Sequence, residues 1–460
     1  MTPSSEPVAE AIAELRAALD GRVITPDASE YDDARTVFYG GVDRRPAAIV
    51  RPSDAAQVAQ VVSAARESGA PLAVRSGGHS VAGHSVCDAG IVLDLGAMRG
   101  LEIDPGSGTA WAETGLTAGE YTNAAGEHGL TTGFGDTASV GIGGITLGGG
   151  VGYLSRAHGL TIDDLLAVEV VTARGEIVAA DADTHPDLFW AIRGGGGNFG
   201  VATRLRFRLH ELPSVVGGIL LLPASAEVVR GAVAEALAAP DELSAIFNVM
   251  PAPPMPFVPA ERHGELVVMC LVCYAGAAGD GERAVAPLRA LATPIADTIA
   301  PIPYPQMYPP EQEGFHPTAV SRTMFVDGID DAAAEAIIEA LATSDAPMRV
   351  TQLRVLGGAI SRVPAAATAY AHRASRIMVN VAAFYERPEE IAERQGWVDA
   401  LAAAMRQDDD GAYVNFLGDE GPERVRAAYP PGTWERLAEI KARYDPTNLF
   451  RLNQNIPPAG

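Results

Sequence analysis

Three glycine-rich stretches constrain this chain more than any other feature. Arg75-Ser76-Gly77-Gly78-His79-Ser80 follows a strand-like run, residues 133–152 form a long glycine-rich segment, and residues 193–200 lead into another strand-like run. Glycine lets backbone N–H groups approach phosphate oxygens closely and bind them without net positive charge. Three such loops on one chain point to a large planar cofactor that carries phosphate. None has the GxGxxG that opens a helix with an acidic residue about 20 positions on, so a Rossmann dinucleotide site is not expected. Taken singly, each loop reads as well as a tight surface turn.

The 460 residues suggest two or three domains, each large enough for its own core. Residues 6–19 read as a short amphipathic helix with Val8, Ile12, Leu15 and Leu19 on one side. A strand–helix–strand unit follows. Residues 47–51 are apolar, Ser53 or Asp54 can cap a helix striped by Val58, Val61, Val62 and Ala65, and Gly69 ends it before a strand at 71–75. Further strands are read at 91–95, 165–172, 176–180 and 201–209. The last places Arg204, Arg206 and Arg208 on one face, read as a solvated face rather than a phosphate patch. From about Leu212 glycine clusters fade and proline-rich loops enter. Strand-like runs at 216–222, 265–274, 350–356 and 376–385 alternate with helical patterns at 225–239, 281–291, 332–342 and 388–405. This pattern predicts an α+β domain with an antiparallel sheet. In the tail, a strand near 413–416 and a helix near 433–444 are expected.

Charge excludes several function classes. The formal net charge is −24, which disfavours nucleic acid and anionic membrane surfaces as partners. Lys441 is the only lysine. The first 25 residues show no signal-peptide pattern, and with three cysteines this fits a reducing, cytoplasmic setting. Cys270 and Cys273 form a lone CxxC inside a strand-like run. Residues three apart in a strand face opposite ways, so both are read as core cysteines and no metal site is expected. Residues 137–155 are uncharged and long enough to span a membrane, yet seven of the nineteen are glycine, which favours a loop around a ligand.

In combination, the three loops resemble a known family. The first loop, then Val140-Gly141-Ile142-Gly143-Gly144-Ile145-Thr146-Leu147-Gly148-Gly149-Gly150, then the stretch from Asp187 to Gly200 resemble the FAD-linked oxidases of the vanillyl-alcohol oxidase/p-cresol methylhydroxylase superfamily. Tyr413-Val414-Asn415, the run from Tyr444 to Phe450 and Asn453-Gln454-Asn455-Ile456-Pro457 resemble its berberine-bridge-enzyme branch in a bacterial form. The resemblance implies a two-part FAD-binding domain of the p-cresol methylhydroxylase type, made from residues 1–211 and a returning segment, 411–460. A substrate domain at 212–410 would lie between them in sequence.

The resemblance also assigns roles. His79 stands where the family bonds a ring nitrogen to the flavin 8-methyl group, a reaction open to a neutral imidazole. His84 is read as structural. Many members add a second link through a cysteine three residues before Val140. Here that residue is Thr137, which has no thiolate, so a single link through His79 is expected. Val140 matches the small residue of the oxygen-reactive members. Arg75, Ser76, Gly77, Gly78 and Ser80 from the first loop are expected to hold FAD. Thr137, Ser139, Val140, Gly143, Gly144 and Thr146 are assigned from the second loop, Gly200 and Val201 from the third, and Asn415 and Asn453 from the tail. Tyr413 occupies the position some members use as a phenolate base, although a half-buried structural tyrosine fits it equally. Tyr153, Tyr370, His372 and Tyr385 are other candidate bases, and Tyr304 and Tyr308 candidates for a substrate entrance. The implied activity transfers hydride from a small alcohol or amine, such as an alkaloid or a secondary-metabolism intermediate, to the flavin, with O2 giving hydrogen peroxide. A non-catalytic drug-binding protein and a flavin dehydrogenase with another acceptor are the alternatives.

Overall fold

Local signals account for the first layer. In the computed structural model, which describes residues 5–309 and 314–460, Asp54 caps the helix Ala55–Ser68 by accepting from Gln57 N at 2.9 Å. Gly69 ends that helix with φ 69°, a left-handed conformation that glycine adopts without a Cβ clash. Val58, Val61, Val62 and Ala65 bury against a small sheet in which Ala48–Val50 and Leu72–Arg75 both run parallel to Ile91–Asp94. The turn leaving Leu72–Arg75 is the first glycine-rich loop, so the strand end delivers His79.

A second sheet is antiparallel, ordered Leu101–Asp104, Thr109–Glu113, Val201–Arg208, Leu165–Val171, Ile177–Asp181. Its central strand alternates as expected. Leu205 and Phe207 are buried, while Arg204 reaches Glu102 and Arg206 reaches Thr109 at the surface. The third glycine-rich loop feeds directly into this strand.

The sheet of the region after Leu212 is also antiparallel. Its central order is Val215–Pro223, Leu266–Tyr274, Leu243–Pro251, Arg349–Val355, Ile377–Phe384, Ala319–Val326. Four helices, Ala226–Ala238, Ala278–Arg289, Asp331–Thr343 and Ile391–Met405, bury their apolar stripes on one face. The period of two along each strand leaves the other face to the core of the second sheet, through Val215, Ile246 and Cys273, and to a cavity. Cys270 and Cys273 show this division. Cys270 packs among the helix-side residues, Cys273 among those of the opposite core, and burial pushes both thiols well above their ordinary range.

Several features depart from the sequence expectations, and the strands Leu101–Asp104 and Thr109–Glu113 are among those the pattern does not reveal. The strand Leu243–Pro251 was not foreseen, because nearly every side chain in it is buried and no alternation marks it. The strand Ala319–Val326 also escaped the periodicity. Residues Val414–Phe416, expected as a strand, form a single 3-10 turn. Asn415 docks into the second glycine-rich loop by donating to Ile145 O, while Phe416 packs against Tyr413 and Arg354.

Candidate active site

A cavity of about 500 Å³ lies where the three glycine-rich loops, the tail and the open face of the large sheet meet. Ser76, Gly77, Gly78, His79 and Ser80 line it from the first loop. Thr137, Val140, Gly143 and Gly144 line it from the second, Gly200 and Val201 from the third, and Tyr413, Asn415 and Asn453 from the tail. Residues far apart in sequence therefore share one wall.

Backbone proximity explains the glycines. A methyl on Gly77 or on Gly141 would overlap the other's backbone, so the first two loops touch main chain to main chain. Gly78 has φ 75°, which permits the turn that aims His79 at the cavity. Gly144 and Gly197 are different, since a Cβ on either would meet no protein atom within 4 Å. Both face open space in the cavity.

His79 is held from two sides. Its ring stacks on Phe38 with centroids 4.0 Å apart, and its Nε2 lies 2.7 Å from Ser139 Oγ. Ser139 thus acts on His79 instead of forming cavity wall. His84 also lines the cavity. Burial, reinforced by Arg44, pushes its imidazole down to about 4, so it is neutral at pH 7.

Tyr413 lines the same cavity from the tail. Its phenol oxygen accepts from Gly150 N at 2.9 Å, Val151 N at 3.2 Å and Asn415 Nδ2 at 2.9 Å. Asn415 is itself fixed by donating to Ile145 O at 3.0 Å. Burial raises the Tyr413 phenol above its ordinary value overall, and Asn415, Gly150, Val151 and the charge of Arg354 offset only part of that rise.

Besides Ser139, two more assigned residues, Arg75 and Thr146, do not reach the cavity. Arg75 is buried and spent on Asp94 Oδ2 at 2.8 Å and Ala34 O at 2.6 Å, so it braces the strand end and offers no cation to a cofactor. Thr146 is also buried, with Oγ1 donating to Ile142 O at 2.6 Å within its own helical turn. Tyr304 and Tyr308 form no entrance. Their hydroxyls pair at 3.0 Å in the core, and Tyr308 donates to Phe134 O. Tyr153, Tyr370, His372 and Tyr385 are absent from the cavity wall as well, although Tyr370 packs edge-on against Tyr413.

The sheet contributes residues that sequence reasoning missed. Gln352 and Arg354 from one strand and Asn380 from the next point into the cavity, and Asp136 faces them from the second loop. Asn380, the one polar residue in Ile377–Phe384, and Gln352 and Arg354, two apart in Arg349–Val355, were the available signal.

The wall suits FAD. Among the described lining residues the only arginine or lysine is Arg354, already paired with Asp136 at 2.7 Å, so the wall offers a pyrophosphate backbone N–H and hydroxyl donors in place of a free cation. The glycine cradle supplies these. Asn453 lines the same wall, and its buried Oδ1 lacks a protein partner, which leaves a polar contact for a ligand. Such a fold and site define an FAD-linked oxidoreductase.

The comparisons agree. The family described as "FAD binding domain" matches residues 46–181, and that described as "Berberine and berberine like" matches residues 412–457. The chain is 32% identical to (R)-6-hydroxynicotine oxidase of Paenarthrobacter nicotinovorans over 96% of its own length and 98% of the relative's. It is 28% identical to xylooligosaccharide oxidase of Thermothelomyces thermophilus, covering 95% and 92% of the two chains. The solved structure of 6-hydroxy-D-nicotine oxidase from Arthrobacter nicotinovorans superposes with a TM-score of 0.84 at 28% identity, over 96% of this chain and 98% of that one. The chain belongs to the berberine-bridge-enzyme-like family of FAD-linked oxidases. No helix among the described residues is long and apolar enough to cross a membrane.

Proposed function

We propose that the protein oxidises a small organic alcohol or amine, passing hydride to an FAD attached through His79 alone, with O2 as final acceptor and hydrogen peroxide as product. The observation that carries this reading is the Tyr413 oxygen, which meets three N–H donors at the cavity wall. A phenol oxygen that donates its own proton has room for two donors, so a third favours the phenolate.

When bound, FAD supplies the hydride acceptor. Tyr413 Oη takes the proton that leaves the substrate hydroxyl or amine, and the N–H groups of Gly150, Val151 and Asn415 stabilise the phenolate against the burial that raises the phenol overall. His79, steadied by Phe38 and Ser139, is the tether. Thr137 carries no thiol, and Cys87 is buried with its thiol pushed up to about 11, so a second tether has no nucleophile. Val140 keeps the wall small where oxygen approaches. Residues 212–410 act as the substrate domain, and residues 411–460 close the site. The names of the two oxidase relatives, one for a hydroxynicotine and one for an oligosaccharide, support a small-molecule substrate.

The test begins with acid precipitation of the purified holoprotein. Flavin absorbance is expected in the redissolved pellet, and its loss in His79→Ala. Flavin released from the wild type, or still bound covalently in His79→Ala, overturns the tether. Substrates are then sought by anaerobic bleaching of the flavin, with peroxide measured on admitting air. A ligand that only shifts the flavin spectrum indicates a binding protein. Bleaching without peroxide indicates a dehydrogenase.

A further inference from the structure

Arg354 is 5% exposed, and its five N–H bonds are unevenly used. Nε donates to Gln352 Oε1 at 2.8 Å, and Gln352 Nε2 in turn donates to Asn248 Oδ1 at 2.8 Å. Nη2 donates to Asp136 Oδ2 at 2.7 Å. The guanidinium carbon lies 5.1 Å from the centroid of the Phe416 ring. Nη1 is buried and has no partner. An unmatched buried donor on a charged group is costly, and it stays tolerable where a ligand or ordered water completes it. Arg354 lines the same cavity as Tyr413. Asn380, opposite Gln352 in the sheet and also on the cavity wall, has a buried Oδ1 that likewise lacks a partner.

Charge narrows what fits there. Asp136 is the only carboxylate on the described cavity wall, and it is committed to Arg354. A cationic amine would find no free carboxylate. A carboxylate would enter beside Asp136 against a guanidinium that is already neutralised. A neutral carbonyl oxygen matches Nη1 without either conflict.

We infer that Arg354 and Asn380 form a substrate subsite for a neutral alcohol that carries an amide-like group, its carbonyl oxygen accepting from Arg354 Nη1 and its N–H or a hydroxyl donating to Asn380 Oδ1. This rests on the cavity being the substrate site, and it selects an alcohol over an amine.

Three matched probes test it on the holoprotein: 4-(hydroxymethyl)benzamide, 4-(hydroxymethyl)benzoate and 4-(hydroxymethyl)benzylamine. Binding is read from the flavin spectrum under anaerobic conditions. The amide is expected to bind at least about tenfold tighter than the other two, and Arg354→Gln to abolish that preference while flavin content is kept. Asp136→Asn exposes the Arg354 charge and is expected to raise benzoate affinity by at least about tenfold. The second variant decides the matter if Arg354→Gln fails to fold or loses flavin. Equal binding of the benzylamine and the amide, unchanged amide affinity in Arg354→Gln, no gain for benzoate in Asp136→Asn, or no binding of any probe overturns the inference. Bleaching is a separate readout. An amide that binds through Arg354 and leaves the flavin oxidised counts against the oxidase reading, while the subsite stands.

Discussion

Lys441 and Asp445 form an ion pair with both side chains at 0% exposure and Nζ 2.6 Å from Oδ2. The only lysine in the chain is thus among its most buried residues. Nζ also donates to Asn198 O at 2.7 Å and Phe450 O at 2.9 Å, while Asp445 accepts from Leu449 N at 2.8 Å and Phe450 N at 2.9 Å. The pair ties the third glycine-rich loop to the tail, and Asn198 and Phe450 both line the cavity.

Replacing Lys441 should therefore cost stability and cofactor incorporation together. Lys441→Met leaves Asp445 charged and unpaired in the core, at about 3–5 kcal/mol. The double variant Lys441→Met with Asp445→Leu should not recover fully, because the N–H groups of Leu449 and Phe450 then lose their acceptor. Urea denaturation with flavin fluorescence measures both effects. A Lys441→Met protein of wild-type stability would contradict this.

Tyr413→Phe should lower the anaerobic rate of flavin reduction by about 10²–10⁴-fold while flavin content stays constant. Asn415→Leu removes a donor that pulls the phenol down. The rise of rate with pH should then move to higher pH, since deprotonation becomes harder. Stopped-flow reduction across pH reads the shift, and movement to lower pH would exclude Tyr413 as the base.

The two kinds of glycine should separate on substitution. Gly77→Ala forces a methyl into the backbone of Gly141, so both folding and flavin incorporation should suffer. Gly144→Ala meets no protein atom within 4 Å, so the apoprotein should keep its melting temperature and bind FAD more weakly. Melting curves with and without added FAD distinguish the two.

Acid should destabilise the fold partly through His158. Burial, with the neighbouring His210, pushes its imidazole from 6.5 down to about 4. As pH falls through this window the unfolded chain protonates first, so stability present above pH 6.5 is lost progressively toward pH 4 and levels off below it. His158→Gln should flatten that part of the curve of urea midpoint against pH. An unchanged slope would show that His158 does not titrate this way.

Much of the fold was legible locally. Asp54 and Gly69 mark both ends of one helix because capping and left-handed turns depend on the residues at the spot. The alternation along 201–209 disclosed a half-buried strand for the same reason. Leu243–Pro251 gave no such signal, since a strand covered on both faces has no polar side to reveal its period.

Motif order in the sequence determined the glycine loops, the histidine among them and thereby the cofactor class, because a missing side chain and an imidazole act through the few residues beside them. Tertiary structure decided which side chains face the cofactor. Arg75 lies next to the first loop in sequence, yet strand direction turns it onto Asp94. Tyr413 becomes a candidate base only where the tail meets Gly150 and Val151, 263 and 262 positions earlier. Asp136, Gln352, Arg354 and Asn380 come together only through sheet register and the packing of one region on another. Such convergence leaves no local trace, because what a polar side chain faces is set by the strand it sits on and by what that strand covers.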